Sequence, residues 1–229
     1  PYAYPESVDM RSYKPAFAGD LTQIERAVAA MLVAKKPVFY VGGGVILASA
    51  WEQLRTLVKA LGAPVASTLM GLGAFPGTDP LSLGMLGMHG FYEANMAMHH
   101  SDVILAVGAR FDDRVTNTVS KFCPGAKIIH IDIDPASIAK IVPVDIPIVG
   151  PVSTILDELD KQLAAQMDGN ERALPDPDVL AQWWQQIDSW RDAHGLWHGR
   201  RYAESSSIMP QDAIPVSYTH LTLPTTKQV

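Results

Sequence analysis

Apolar positions recur along this chain in two alternating rhythms. Between residues 21 and 32, Ile24, Ala27, Val28, Met31 and Leu32 keep the three- and four-residue spacing of one helix face, and the pattern ends before Pro37. Asp20 stands just ahead of that run, where its carboxylate can accept an unpaired first-turn amide. Residues 38–41 are a short, wholly apolar run closed by Gly42, Gly43 and Gly44. The couplet then repeats. A helix is predicted with Leu54, Leu57, Val58 and Leu61 on one face and Gly62 at its end, followed by a strand over 64–67. A helix over 93–100, strands over 102–107, 127–131 and 146–149, and an amphipathic helix over 152–163 complete the series. Residues 70–90, rich in Gly, Pro and Met, are too long for a plain connector and are expected to form a functional loop.

Five apolar strands separated by helices imply an α/β fold, an open parallel sheet covered by helices on both faces. Residues 21–165 are expected to be that domain, with 1–20 an interdomain linker and 166–178 a second, polar linker. In 179–215 a new folding unit is expected to begin, a second α/β domain that the chain does not complete. Its Leu180, Trp183, Trp184, Ile187 and Trp190 fall at helical spacing and should face a partner outside the chain. Residues 216–229 resemble a translated sequencing-library adapter and are set aside from fold reasoning. The start at Pro1, with no initiator Met and no signal-peptide pattern, leads us to expect a piece of a longer protein.

Composition narrows the functions. A net charge of −6 argues against a nucleic-acid face, which needs clustered Lys and Arg. The single cysteine, Cys123, excludes an internal disulfide framework and suits a reducing, cytoplasmic setting. No apolar run approaches the ~20 residues that span a bilayer, so no membrane is expected.

In an open parallel sheet, ligands bind beyond the C-terminal strand ends, and four segments fall there. Gly42–Gly44 could bring bare backbone near a diphosphate, or could simply make a tight turn. The NAD fingerprint is not met: Leu47 stands where its third glycine belongs, and the next strand ends at Ser67-Thr68 without a ribose-binding acid. That disfavours a hydride-transferring dehydrogenase. Gly108, Ala109, Arg110, Phe111, Asp112, Asp113 and Arg114 offer amides and guanidinium groups to phosphate or ribose. Asp132 and Asp134 end a strand, Asp134 suiting a cap for the turn at Pro135 and Asp132 a ligand. Leu86, Gly87, Met88, His89 and Gly90 close the long loop, where methionine and glycine suit a flat aromatic ligand. No Ser-His-Asp set, zinc spacing or phosphate-binding P-loop is present.

These segments carry a resemblance. Tyr4-Pro5-Glu6-Ser7, Met10-Arg11-Ser12-Tyr13, Ala66-Ser67-Thr68-Leu69-Met70-Gly71-Leu72-Gly73, Leu86-Gly87-Met88-His89-Gly90 with Ala94-Asn95, Arg110-Phe111-Asp112-Asp113-Arg114 and His130-Ile131-Asp132-Ile133-Asp134 closely resemble the catalytic subunits of the acetohydroxyacid (acetolactate) synthases. The resemblance runs to about Leu163. It implies the central domain of a three-domain thiamine-diphosphate enzyme that joins two pyruvates, or pyruvate and 2-ketobutyrate, with decarboxylation in branched-chain amino-acid synthesis. It further implies that this domain holds FAD in a mainly structural role, touching Gly42–Gly44, Thr68, Leu69, Leu86–His89, Gly108–Asp112, Arg114, Asp132 and Ile133. Asp113 and Arg114 resemble residues near the substrate channel. Thiamine diphosphate and Mg2+ would belong to the other domains, so no catalytic or metal residue is expected here and the piece alone should be inactive. Homo-oligomers of the catalytic subunit and a small regulatory subunit are the implied partners. Pro151 departs from the family, many members having an Asp there.

Other readings are a sister thiamine-diphosphate enzyme (a carboligase or pyruvate oxidase) and a nucleotide-binding module without catalysis. A sirtuin-like fold is disfavoured because one cysteine cannot build its zinc cluster. The flavin reading rests on Gly43, His89, Arg110 and Asp132 sharing one hollow; without it the cofactor assignment falls, though not the resemblance.

Overall fold

The computed structural model describes residues 17–167 and 175–195. The expected terminal tail and most of the first linker lie outside them. Helix α1 (Leu21–Leu32) begins as its sequence dictates, the Asp20 carboxylate accepting the amides of Thr22 and Gln23 at 2.8 and 3.2 Å. Strand β1 (Pro37–Val41) follows and is buried along its whole length. A five-residue helix α2 (Gly43–Leu47) and the longer α3 (Trp51–Leu61) lead to β2 (Val65–Ser67). Gly62 ends α3 in the left-handed conformation (φ 61°) that a side chain would strain.

Strand β3 (Ser82–Met85) pairs in parallel with β2, inside the stretch where sequence predicts only a loop. Its four residues include Gly84 at φ 74°, and the pairing shifts register between Val65 and Ala66. So short and irregular an edge strand carries no apolar run to betray it. The remaining elements are α4 (Tyr92–His100), β4 (Val103–Val107), the one-turn α5 (Asp113–Thr116), β5 (Lys127–Asp132), β6 (Ile146–Val149) and α6 (Val152–Met167). All six strands run parallel in the order β3-β2-β1-β4-β5-β6, which makes six where the sequence shows five.

Strand side chains alternate between the two faces of this sheet and so build two cores. On one face Phe39, Val41, Leu105, Val107, Ile129 and Ile148 meet α1, α3 and α6. On the other, Val38, Tyr40, Ile104, Ala106 and Ile128 meet α4 and a last helix, α7 (Pro177–His194). The aromatic stripe of α7 thus finds its partner within the described residues, where sequence places that partner outside the chain. Trp183 is fully buried and its indole N–H donates to the Pro37 carbonyl (3.2 Å), while that of Trp184 donates to Gly62 (2.9 Å). Both carbonyls lie at the ends of central elements, so α7 docks by polar as well as apolar contacts.

Candidate functional site

The strand order reverses direction between β1 and β4, which sit side by side although much of the chain separates them. Loops leaving the C-terminal ends of these two strands run to opposite sides, and that reversal is where an open α/β sheet gathers ligands. Here the loops pack backbone to backbone. The Gly42 amide donates to Val107 and the Gly44 amide to Gly108, each at 3.0 Å. A methyl group on Gly42 would overlap the Gly108 carbonyl, and one on Gly44 would lie 2.7 Å from the Gly108 Cα. Gly71 is pressed equally hard against the Val41 carbonyl. These glycines therefore have a reason to be glycine that owes nothing to a ligand. Gly43 differs, since a Cβ there would meet only Met70, at 3.1 Å.

Around this crossing stand the other expected residues. Thr68 donates its amide to Val41, and its hydroxyl accepts the Gly71 amide at 2.9 Å, pinning the turn that carries Leu69 and Met70. The segment Leu86–Gly90 is tied down at Gly87 (φ 99°), whose N–H and carbonyl both bond the Asn95 side chain of α4, at 2.8 and 3.0 Å. Met88 donates its amide to the Arg114 carbonyl (2.9 Å), joining this segment to the one after β4, while His89 is exposed.

After Gly108 (φ 54°) the chain buries Ala109 and Phe111 and exposes Arg110, which pairs with Asp112 at 3.0 Å. Asp112 also starts α5, accepting the Arg114 amide at 3.2 Å. Its carboxyl is held below the usual range, first by a hydrogen bond with the Asp113 side chain, then by that Arg114 amide, with Arg110 and Arg114 adding positive charge. Asp113 and Arg114 themselves are exposed.

Asp134 caps the turn at Pro135 as expected, accepting the Ala136 amide and the Ser137 hydroxyl. Asp132 is half engaged too: one oxygen accepts the Asp134 amide (2.9 Å), leaving the other 3.8 Å from His130 Nε2. Pro151 sits at the start of α6, where its carbonyl accepts the Ile155 amide and the Thr154 hydroxyl. The buried donors Tyr40 and His130, which bond the Arg110 and Ala109 carbonyls from behind, are absent from the residues expected from sequence. Nothing in an apolar strand pattern singles out a tyrosine or histidine whose role depends on a neighbouring strand.

The assembled rim is an open shelf. A hollow of about 390 Å³ between α4 and residues 115–123 reaches the expected residues only at Leu86, and its Cys123 thiol is pushed up to about 12 by burial and is therefore unreactive. A second, of about 200 Å³, lies beside Trp51, Arg55 and residues 72–77. Neither is lined by Gly43, His89, Arg110 or Asp132, so neither meets the expectation of one hollow shared by those four. What the shelf offers is apolar surface beside charge. Leu69, Met70, Met88 and Ile133 are 69, 75, 61 and 57% exposed, Arg110, Asp113 and Arg114 are exposed too, and the Arg114 guanidinium reaches the Met88 sulfur at 3.8 Å. Among the described residues no cluster of three His, Cys, Asp or Glu could hold a metal ion, and no helix is long and apolar enough to cross a membrane.

Fold and strand-end rim together define a doubly wound parallel α/β domain. Residues 24–159 match the family described as thiamine pyrophosphate enzyme, central domain, and the chain belongs to that family. It is 51% identical over 214 residues to the acetolactate synthase isozyme 3 large subunit of Escherichia coli, covering 93% of this chain and 36% of that protein. The Haemophilus influenzae acetolactate synthase large subunit is 51% identical over 218 residues, 95% of this chain and 36% of its own length. A solved structure of a putative thiamin diphosphate-dependent enzyme from Mycobacterium smegmatis superposes with a TM-score of 0.55 at 26% identity, over 67% of this chain and 30% of that one. The chain thus spans about a third of the length of these relatives.

Proposed function

We propose that this chain is the central portion of an acetolactate synthase catalytic subunit and that its strand-end rim holds FAD in a structural role. The observation that carries the reading is the 51% identity sustained over 93% of the chain with a synthase large subunit. The rim residues fit the flavin dinucleotide by their chemistry. Leu69, Met70 and Met88 offer apolar, polarizable surface to a flat ring system. Arg110 and Arg114 supply positive charge for a diphosphate, and Gly43, against Met70, adds no side chain of its own. Asp132 retains one carboxylate oxygen without a hydrogen-bond donor, suited to ribose hydroxyls. Gly42 and Gly44 contribute by shaping the crossing, the buried Leu86 and Gly87 by fixing the segment that exposes Met88 and His89, with Asp113 toward the substrate side.

In the parent enzyme, thiamine diphosphate and Mg2+, held elsewhere, would supply the decarboxylation and carbon–carbon bond formation that join two 2-ketoacids. The residues here bind and orient FAD and shape one wall of the reaction space. A cytoplasmic homo-oligomer with a small regulatory subunit is the corresponding assembly. The test is direct: the 229-residue chain is purified and titrated with FAD, following flavin fluorescence, with free riboflavin as control. Saturable binding of about one FAD per chain and much weaker binding of riboflavin is expected, because the dinucleotide brings the charges that the arginines meet. Failure to bind FAD at all would sink the flavin reading.

A further inference from the structure

We infer that Tyr40 and His130 are positioning residues, a pair of buried donors that fix the backbone of residues 108–110 and thereby set the face this segment presents at the rim. Three successive carbonyls are committed inward. That of Gly108 accepts the Gly44 amide at 3.0 Å, that of Ala109 is bonded by His130 Nε2 at 3.0 Å, and that of Arg110 accepts the Tyr40 hydroxyl at 2.9 Å. Only a donor can satisfy a carbonyl, so the Ala109 contact places the histidine proton on Nε2. Both donors come from central strands: Tyr40 from β1 and His130 from β5, on either side of β4, and both residues are completely buried. The Phe111 ring rests on both, 5.3 Å from Tyr40 and 5.1 Å from His130 between centroids.

A phenol and an imidazole are costly to bury among apolar side chains unless they find partners; the Tyr40 hydroxyl and His130 Nε2 have theirs, and His130 Nδ1 is buried without one. This core carries both at the one place where the chain leaves β4 through a left-handed glycine. With these carbonyls spoken for, and the Gly108 and Asp112 amides donating to Ile131 and Arg110, only the Ala109 and Arg110 N–H groups and the Arg110 and Asp112 side chains of this segment remain to meet a ligand. A loop held merely by its ends would be free to turn a carbonyl toward the rim and repel an anion there. Burial holds the His130 pKa below the ordinary value, against the opposing pull of Asp132 at 3.8 Å and of the Ala109 carbonyl, and so favours the neutral ring.

The inference rests on the flavin reading for its ligand and on the loop alone for its geometry, and the experiment separates the two. The whole chain is compared with Tyr40→Phe, His130→Leu and His130→Gln, the last keeping an N–H donor. Hydrogen exchange of residues 108–114 is measured without ligand, FAD affinity by titration, and the melting temperature of each variant alongside. Faster exchange in Tyr40→Phe and His130→Leu, affinity lower by roughly 10-fold in each, and partial return of both readouts in His130→Gln are expected, as for the loss of about one positioning hydrogen bond. Tyr40→Phe removes a single oxygen and keeps the ring, so it remains informative should His130→Leu fail to fold. Unchanged exchange in Tyr40→Phe overturns the clamp. Faster exchange with unchanged FAD affinity overturns its role toward a ligand. If the unaltered chain binds no FAD, the flavin reading falls and exchange alone decides the clamp.

Discussion

The glycines at the strand crossing illustrate how one residue type answers two different demands. At Gly42 an added methyl would strike the Gly108 backbone, which cannot yield without moving β4, whereas at Gly43 it would come no nearer than 3.1 Å to the Met70 Cβ and carbonyl, which a shift of a few tenths of an ångström in that turn relieves. Gly42→Ala is therefore expected to lower stability by about 3 kcal/mol and Gly43→Ala by under about 1 kcal/mol, read from urea midpoints. Equal losses would show that the crossing is looser than its contacts imply. Gly43→Asp tests the proposed function at the same place: on the flavin reading, the added negative charge should weaken FAD retention. Flavin binding equal to the unaltered chain would remove Gly43 from the site. Sequence alone leaves the glycine run poised between ligand and turn, since both demand a missing Cβ and only the neighbouring loop tells them apart. Tyr40 and His130 were invisible for the same reason, their partners lying 70 and 21 positions along the chain.

Histidine protonation carries the same logic into pH. Burial first, and only weakly offset by Asp132 and the Ala109 carbonyl, holds His130 below its ordinary pKa, and His100 is lowered by burial, then by His99 and Lys36. A base whose folded pKa is depressed binds fewer protons than in the unfolded chain, so stability is intact above the unfolded value of about 6.5 and is lost as pH falls from there through the folded value. Urea midpoints should thus decline as the buffer is lowered from about 7.5 to about 5.5, and His130→Gln should show a shallower decline. An identical decline in that variant would assign the effect to other groups.

At the scale of elements, the strong periodicities were the legible ones. Helices α1, α3 and α6 and the strands β1, β2, β4, β5 and β6 follow their apolar patterns because each buries a face against the same sheet. Strand β3 escaped because it is four residues long, contains a left-handed glycine and lies on an edge, where pairing with β2 rather than local pattern creates it. For α7 the stripe was plain and its destination was not. Periodicity reports which face is buried and is silent about what buries it. The docked position makes Trp183 a measurable anchor: it is fully buried, its ring meets Trp190 edge-on at 5.8 Å, and its N–H satisfies the Pro37 carbonyl. Trp183→Ala is expected to cost about 3–5 kcal/mol. A loss below about 1 kcal/mol would mean that α7 contributes little to the folded sheet in solution.

For the molecule as a whole, the question is how much of a reaction these residues can run. The family match names a central domain, the chain spans 36% of the length of its synthase relatives, and the described residues include no metal-holding cluster. The rim presents charge and apolar surface, while Cys123 lies in the separate hollow beside α4 and His130 behind the rim. The Cys123 thiol is raised by burial and His130 is kept neutral with its proton committed to a carbonyl. Ketoacid condensation needs a stabilised carbanion equivalent, which the proposed function assigns to thiamine diphosphate held elsewhere. The purified chain given pyruvate, thiamine diphosphate, Mg2+ and FAD is therefore expected to form no acetolactate above a protein-free control, even in preparations that bind FAD fully. Turnover in that assay, surviving removal of trace full-length enzyme, would show that the carbanion chemistry has a home in this chain. Flavin binding without turnover is the pairing that the proposed function expects.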